Sequence, residues 1–534
     1  MIAQFWRLFL LVVTSFLALA EPLYALSREA DALNSTAEDS MKTLPLVPEQ
    51  SVSTFLPSGS APGRGLAINI IYPQRPRYKD GAPIVIVVPG GDTADGLNFC
   101  LHAAQMGCVE IRLAFPGGGN GTFKSSGVND YRGSKSQKAL RDIFLFAAGK
   151  IQDFRNHTIA DLVPIPLAHN NMGIVGWSNG GNIALITMEK YAKQLGFINW
   201  LVLYECPLGS LFFPPSLGST DSFLLNNHYR QGSAATGHCL IDFRKLAWQA
   251  DARQNAGVFK KLGEAELPGV VYFDDNQNKK WDESAEFAFN YCVDHGLKKQ
   301  FYPPDITAAM ERLKLFAVPV VPKIEIIKAK SLFPNKDKSK EKNQNKNINP
   351  SLSEVASEDT PATEWPLTVA PLNEAENYFQ ERDGSLSIPA VCSLYPNLLV
   401  TIFASQIDHL QTQPDHPHIV LQYNAFIDNG AHWVRLNPDS IYPAEMVNMS
   451  RQNFIQNEPN APINAESIAD YLEPEGILSD YVFVNAAIAE LADRKRTNNL
   501  KSPLTTPIYQ YNYGLTANTQ PATPTGQDNA PAKH

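Results

Sequence analysis

At 534 residues the chain exceeds what one small core needs, leaving room for two or three domains or one large α/β unit with insertions. A composition of 44% hydrophobic, 10% aromatic and 19% charged residues excludes collagen, coiled coil and wholesale disorder. The 45 basic and 54 acidic residues give a net charge of −9, so the basic footprint of a nucleic-acid binder is missing and no nucleic-acid partner is expected.

The first segment reads as an address. Arg7 closes a short basic region, Leu8 to Ala20 is apolar, and Ala18-Leu19-Ala20 precedes Glu21 as a cleavage site. Residues 1–20 are therefore expected to be a secretory signal, with a secreted or periplasmic product and no transmembrane segment after cleavage. Residues 21–54 are polar and aperiodic, a flexible lead-in. Ile84 to Val88 is then a continuous β-branched run that ends in Pro89-Gly90-Gly91, the pattern of a strand covered on both faces. A helical stretch is expected from Leu97 to Gln105, stopped at Gly107, followed by a strand over Val109 to Leu113.

Ser134 opens a predicted helix whose Leu140, Ile143, Phe144 and Ala147 share one face. Met172 to Val175 reads as a strand, Ala184, Met188, Tyr191 and Leu195 recur at helical spacing, and Trp200 to Tyr204 is a strand ending at Glu205. This alternation predicts an α/β fold with a doubly wound, mostly parallel sheet, whose first part spans residues 55–206. Residues 207–395 break the pattern and are expected to form an insertion, a lid or cap, with a disordered linker at about 331–365 around the Lys/Asn/Ser-rich run Lys336 to Asn349. Sheet grammar resumes at Leu398 to Phe403, so 396–499 is the second part of the core and 500–534 a disordered tail. Ile419 to Tyr423 fits either a last strand or a helix, the latter leaving Trp433 to Leu436 as the last strand. The six cysteines, Cys100, Cys108, Cys206, Cys239, Cys292 and Cys392, form no C-x-x-C pair, which argues against a zinc knuckle and leaves disulfides and buried thiols both open.

The motif that carries chemistry is Gly176-Trp177-Ser178-Asn179-Gly180-Gly181, a G-x-S-x-G at a predicted strand-to-helix turn. Glycines flank Ser178 because a nucleophile on so sharp a turn needs neighbours without side chains, and the helix N-terminus beneath it favours developing negative charge. With this elbow, residues 55–206 and 396–495 resemble the α/β-hydrolase superfamily. The resemblance implies Ser178 as nucleophile, an oxyanion hole from the N–H groups of Asn179 and Gly91, and the chain order serine, acid, histidine. It places the acid at Asp408, after a late strand, with Glu205 as runner-up. The base is expected at His432 if Ile419 to Tyr423 is the last strand, with His409 as the alternative. The family's lipases often carry His ahead of the loop glycines, where this chain has Pro89, so Gly91 is assigned by position.

A second constellation runs from Asp274 to Asp282. Oxygens of Asp274, Asn276 and Asn278, the Lys280 carbonyl and Asp282, or Glu286 in its place, match a calcium loop, although the sixth position is Lys279 and the twelfth is not Glu. A structural calcium ion and a solvated polar turn are both open there, and the chemistry itself requires no cofactor. Pro116 to Thr122 lacks the ending of a phosphate loop and reads as a rim loop, while Asp415-His416-Pro417-His418 offers a weak candidate metal pair. Together these features predict a secreted serine hydrolase acting on a small or polymeric ester. The alternatives are a serine peptidase of the same fold, acting on an amide, or a non-catalytic, calcium-braced binding protein on a hydrolase scaffold.

Overall fold

The computed structural model describes residues 49–91, 93–99, 101–207, 214–218, 225–236, 239–253, 268–294, 297–316, 365–406, 408, 413–455, 458–474 and 480–511. Eight strands form the main sheet: β1 (Glu49–Ser58), β2 (Ala61–Pro73), β3 (Ala82–Val88), β4 (Val109–Leu113), β5 (Leu167–Trp177), β6 (Ile198–Tyr204), β7 (Leu399–Phe403) and β8 (Trp433–Leu436). Their order across the sheet is β1-β2-β4-β3-β5-β6-β7-β8. β2 pairs antiparallel with both neighbours, and every pairing from β4 through β3 to β8 is parallel. The expected α/β class and mostly parallel sheet are therefore present.

Parallel strands need covered faces, and alternate side chains divide between two layers. Ile84, Ile86, Val88, Ile174, Leu201, Leu203, Val400 and Ile402 pack with helices α1 (Ser134–Ala147), α2 (Gly180–Lys190), α3 (Ile388–Leu394) and α4 (Pro417–Asp428). Val85, Val87, Val175, Trp200, Val202 and Phe403 face the other way, onto Val484, Ile488 and Leu491 of α5 (Asp480–Thr497). The predicted face of α1 is borne out, since Leu140, Ile143, Phe144 and Ala147 are all fully buried.

Several expected boundaries are corrected. The lead-in expected to reach residue 54 has given way to β1 by Glu49, and of the stretch expected to be helical from Leu97 to Gln105 the described residues hold a short 3-10 turn, Ala103–Met106. Within the expected insertion, Ile388 and Val391 of α3 already belong to the sheet's core. The expected tail is packed at its start, where Leu504 and Tyr511 are buried and the Tyr511 hydroxyl donates to the Arg75 carbonyl over 3.1 Å. The insertion's described parts build a small aromatic core of their own, with Phe273, Phe289, Tyr302, Phe316 and Trp365. Among the described residues, Cys108, Cys206, Cys239, Cys292 and Cys392 form no disulfide with one another. The expected signal, the linker over 331–364, Cys100 and residues 512–534 lie outside the described residues. No described helix is long and apolar enough to cross a membrane.

Candidate active site

Ser178 follows β5 directly and has φ +48°, the left-handed region that an L residue enters only when its surroundings force it. The forcing is visible. Its N–H donates to the Tyr204 carbonyl over 2.8 Å, and its own carbonyl accepts from Gly181 N–H over 3.0 Å at the start of α2. A Cβ on Gly176 would lie 2.5 Å from Gly181 Cα, and one on Gly90 would lie 2.9 Å from Ser178 Cβ, so the glycines of the motif and of the Pro89-Gly90-Gly91 segment permit this close approach. The elbow read from sequence is thus present, with α2 starting beneath the serine. Ser178 is 5% exposed, and its hydroxyl makes no hydrogen bond to a described residue.

The strand register places other groups at the same level. Trp177 pairs with Tyr204 and Tyr204 with Phe403, so Ser178, Glu205 and Ala404 all emerge one residue past the paired edge. Glu205 is 1% exposed with φ +39°, a second forced turn beside the first. Trp177 stacks on Tyr204 at 3.6 Å between centroids, with Phe99 edge-on at 4.8 Å and Tyr481 at 5.5 Å, giving the site an aromatic wall. Burial, and then the charges of Glu205, Asp480 and Asp408, push the Tyr204 phenol well above its ordinary value.

Asp408 has a partner that sequence reasoning did not select. His418 Nε2 lies 2.6 Å from Asp408 Oδ2, both side chains are buried, and His418 Nδ1 has no hydrogen-bond partner among the described residues. Pro417 opens α4 and His418 stands in its first turn. From sequence alone His418 enters only as half of a candidate metal pair with His416. The other half, His416, is buried with φ +39°, and burial lowers its imidazole to about 4, so it is neutral at ordinary pH. The available signal for His418 was Pro417 as a helix start, which would have put His418 at the end of α4 that faces the acid loop.

His432 requires correction. Ile419 to Tyr423 is helical and Trp433 opens β8, so His432 is exposed at the strand's amino end. Trp433 pairs with Leu399, which is level with Trp200 and Gly173. Five residues of strand, roughly 16 Å, separate that level from Ser178. The alternative base, His409, lies outside the described residues.

The calcium-loop residues do share one loop, joined to a two-stranded sheet of Leu246–Gln249 and Val270–Phe273. Lys279 takes φ +58° in place of the glycine a calcium loop prefers. The loop's oxygens hold its own amides: Asp274 Oδ2 accepts from Lys279 N–H (3.1 Å), Asn276 Oδ1 from Asn278 (2.9 Å) and Asn278 Oδ1 from Lys280 (2.7 Å). Glu286 accepts from Asp275 and Asp282, each over 3.0 Å. Asp282 Oδ1 accepts from Ser284 over 3.0 Å, and Asp274 Oδ1 is a buried oxygen without a hydrogen-bond partner among the described residues. Among the described residues no three His, Cys, Asp or Glu side chains gather as metal ligands, at Asp415 to His418 or elsewhere.

Glu473 braces the acid loop. Its N–H donates to Ala404 and its carbonyl accepts from Gln406, each over 3.1 Å, while its side chain is buried and burial pushes the carboxyl up to about 8. A carboxyl raised from its ordinary 4.5 contributes full stability below 4.5 and loses it as pH rises through about 8. Stability should therefore fall across that window by up to about 1.4 kcal/mol per pH unit from this group. Glu473→Gln should flatten the loss; thermal midpoints of both proteins from pH 5 to about pH 9 with the same slope would refute this.

No protein-family model matches the chain, and no curated protein is similar to it in sequence. Among solved structures it is similar to a hyperthermophilic esterase from the archaeon Pyrobaculum calidifontis, at 15% identity over 36% of this chain and 53% of that one, with a TM-score of 0.22. It is also similar to brefeldin A esterase, a bacterial homologue of human hormone sensitive lipase, at 13% identity over 36% and 50%, TM-score 0.23. A third likeness is to the thermophilic carboxylesterase EstE1 from a metagenomic library, at 12% identity over 36% and 58%, TM-score 0.22. The chain thus spans little more than half the length of these proteins, and the low scores mark a partial likeness that leaves function to be read from the site itself.

Proposed function

We propose that the protein is a serine hydrolase that cleaves an ester through an acyl-enzyme on Ser178. The observation that supports it most is the forced left-handed turn at Ser178, set one residue beyond the sheet edge over the first turn of α2, on the side reached by the Asp408–His418 pair. Strain of that kind persists only where surroundings over-determine it, and it presents the hydroxyl rather than burying it in a bond.

In this reading Asp408 holds the Nε2–H tautomer of His418 and leaves the Nδ1 lone pair as base. Ser178 Oγ attacks the ester carbonyl and its proton passes to Nδ1; the oxyanion is held by the N–H groups of Asn179 and Gly91. The tetrahedral intermediate collapses, and the imidazolium returns the proton to the departing alcohol. Water then repeats the sequence on the acyl-enzyme and releases the acid. A gap between serine and base before substrate arrives is usual, because such bonds tighten in the substrate complex. An ester suits this arrangement better than an amide, since an alcohol leaves with less help from the acid than an amine needs. Export of the mature chain is part of the same proposal and rests on the signal-like first twenty residues.

The test is labelling of the purified protein with a fluorophosphonate probe. Wild type should label covalently and Ser178→Ala should not. A wild type that stays unlabelled while a control esterase reacts would instead favour a binding scaffold.

A further inference from the structure

We propose that Arg132 is the positioning residue of the oxyanion hole, holding the Pro89-Gly90-Gly91 strap so that the Gly91 N–H faces the reacting oxygen. The inference rests on the serine-hydrolase reading above. The strap leaves β3 and lies against the nucleophile, since a Cβ on Gly90 would approach Ser178 Cβ to 2.9 Å. Its three carbonyls are all taken by side chains. Arg132 Nη2 donates to Pro89 O over 2.9 Å and to Gly90 O over 3.0 Å, and Asn179 Nδ2 donates to Gly91 O over 3.0 Å.

Peptide geometry turns this into a statement about donors. The Gly90–Gly91 bond is trans, so its C=O and N–H point in opposite directions. Fixing Gly90 O on the guanidinium therefore fixes Gly91 N–H on the far side from Arg132. The permanent positive charge behind the strap also polarises the same peptide units, which strengthens an N–H aimed at developing negative charge.

The holder is itself held. Arg132 is 1% exposed, its guanidinium sits 4.1 Å over the Phe115 ring, and both it and Tyr131 are in the left-handed region, at φ +70° and +52°. Arg382, from the segment ahead of α3, donates to Asp130 O and Tyr131 O over 2.9 Å each and so clamps that turn. On the other flank Asn182 donates to Asn179 Oδ1 over 3.1 Å and accepts from Gly384 N–H over 3.0 Å. Residues 382 and 384 thus brace the hole from both sides, and a preorganised hole of this kind costs no reorganisation when the oxyanion forms.

The experiment measures kcat and KM for p-nitrophenyl acetate with the full chain, beside fluorophosphonate labelling. Arg132→Met should keep KM within about threefold of wild type and lower kcat about 100-fold. Arg132→Lys should recover most of that loss, because one ammonium can donate to both carbonyls that Nη2 holds. A folded Arg132→Met with near wild-type kcat overturns the proposal, as do equal losses in Arg132→Met and Arg132→Lys, which would mark packing rather than the grip on the carbonyls. Should Arg132→Met not fold, Asn179→Ala, which releases Gly91 O, must give the same kcat-selective loss, and an unchanged kcat there overturns it. Wild type that neither labels nor turns over ester would remove the hydrolase reading, and this proposal with it; a wild type that labels beside indifferent variants removes this proposal alone.

Discussion

His418→Ala should lower kcat for ester hydrolysis by a factor on the order of 10⁴ to 10⁶, because a serine hydroxyl without its base keeps only the catalysis that binding and the oxyanion hole provide. Asp408→Asn should fall by about 10⁴-fold while leaving the fold intact, since an amide in place of the carboxylate lets the imidazole adopt the wrong tautomer. His432→Ala, at the opposite end of the sheet, should turn over ester as wild type does. Steady-state kinetics on the three variants decide the matter. Full activity in His418→Ala would move the base to His409. A large loss in His432→Ala would contradict the strand direction from which its distance to Ser178 follows.

The largest effect on stability is expected at Asp493. Its carboxylate accepts from Arg77 Nε and Nη2 over 2.7 Å each, from the Tyr78 hydroxyl over 2.6 Å and from the Tyr442 hydroxyl over 2.8 Å, and Arg77 and Asp493 are both fully buried. Asp493→Ala strands a buried guanidinium and two phenols, which should cost about 3–5 kcal/mol. The pair joins the turn after β2 to the last described helix, so the loss should appear as global unfolding at lower urea. The double variant Arg77→Met with Asp493→Leu should be clearly more stable than Asp493→Ala alone, because removing both charges leaves nothing uncompensated. A loss under about 1 kcal/mol in Asp493→Ala, or a double variant no better than the single, would show that water reaches this pair.

Much of the scaffold is legible in the sequence. Ile84 to Val88 and Trp200 to Tyr204 are unbroken apolar runs, and both are central strands. The 3.6-residue spacing of α1 named its buried face, and the glycines around Ser178 named the elbow. Local composition misled at the margins. Glu49 to Thr54 looks polar because β1 pairs with a neighbour on one side only, and Leu504 and Tyr511 sit among Pro, Thr and Asn, yet Leu504 packs in the layer of α5 and Tyr511 is buried against Arg75 and Gly107.

The sequence by itself determined what lies within a few residues along the chain: strand, turn and helix around Ser178, and the place of Asp408 after a late strand. Those follow from backbone sterics and side-chain periodicity, which are local. Only the tertiary structure decided which histidine meets Asp408, because that depends on α4 being a helix that brings His418 back onto the acid loop and on β8 running away from His432. It alone also showed Arg132, 46 residues before Ser178 in the chain, holding the strap beside it. Both pairings join residues distant in the chain through the packing of several elements at once, and no spacing rule encodes such a contact.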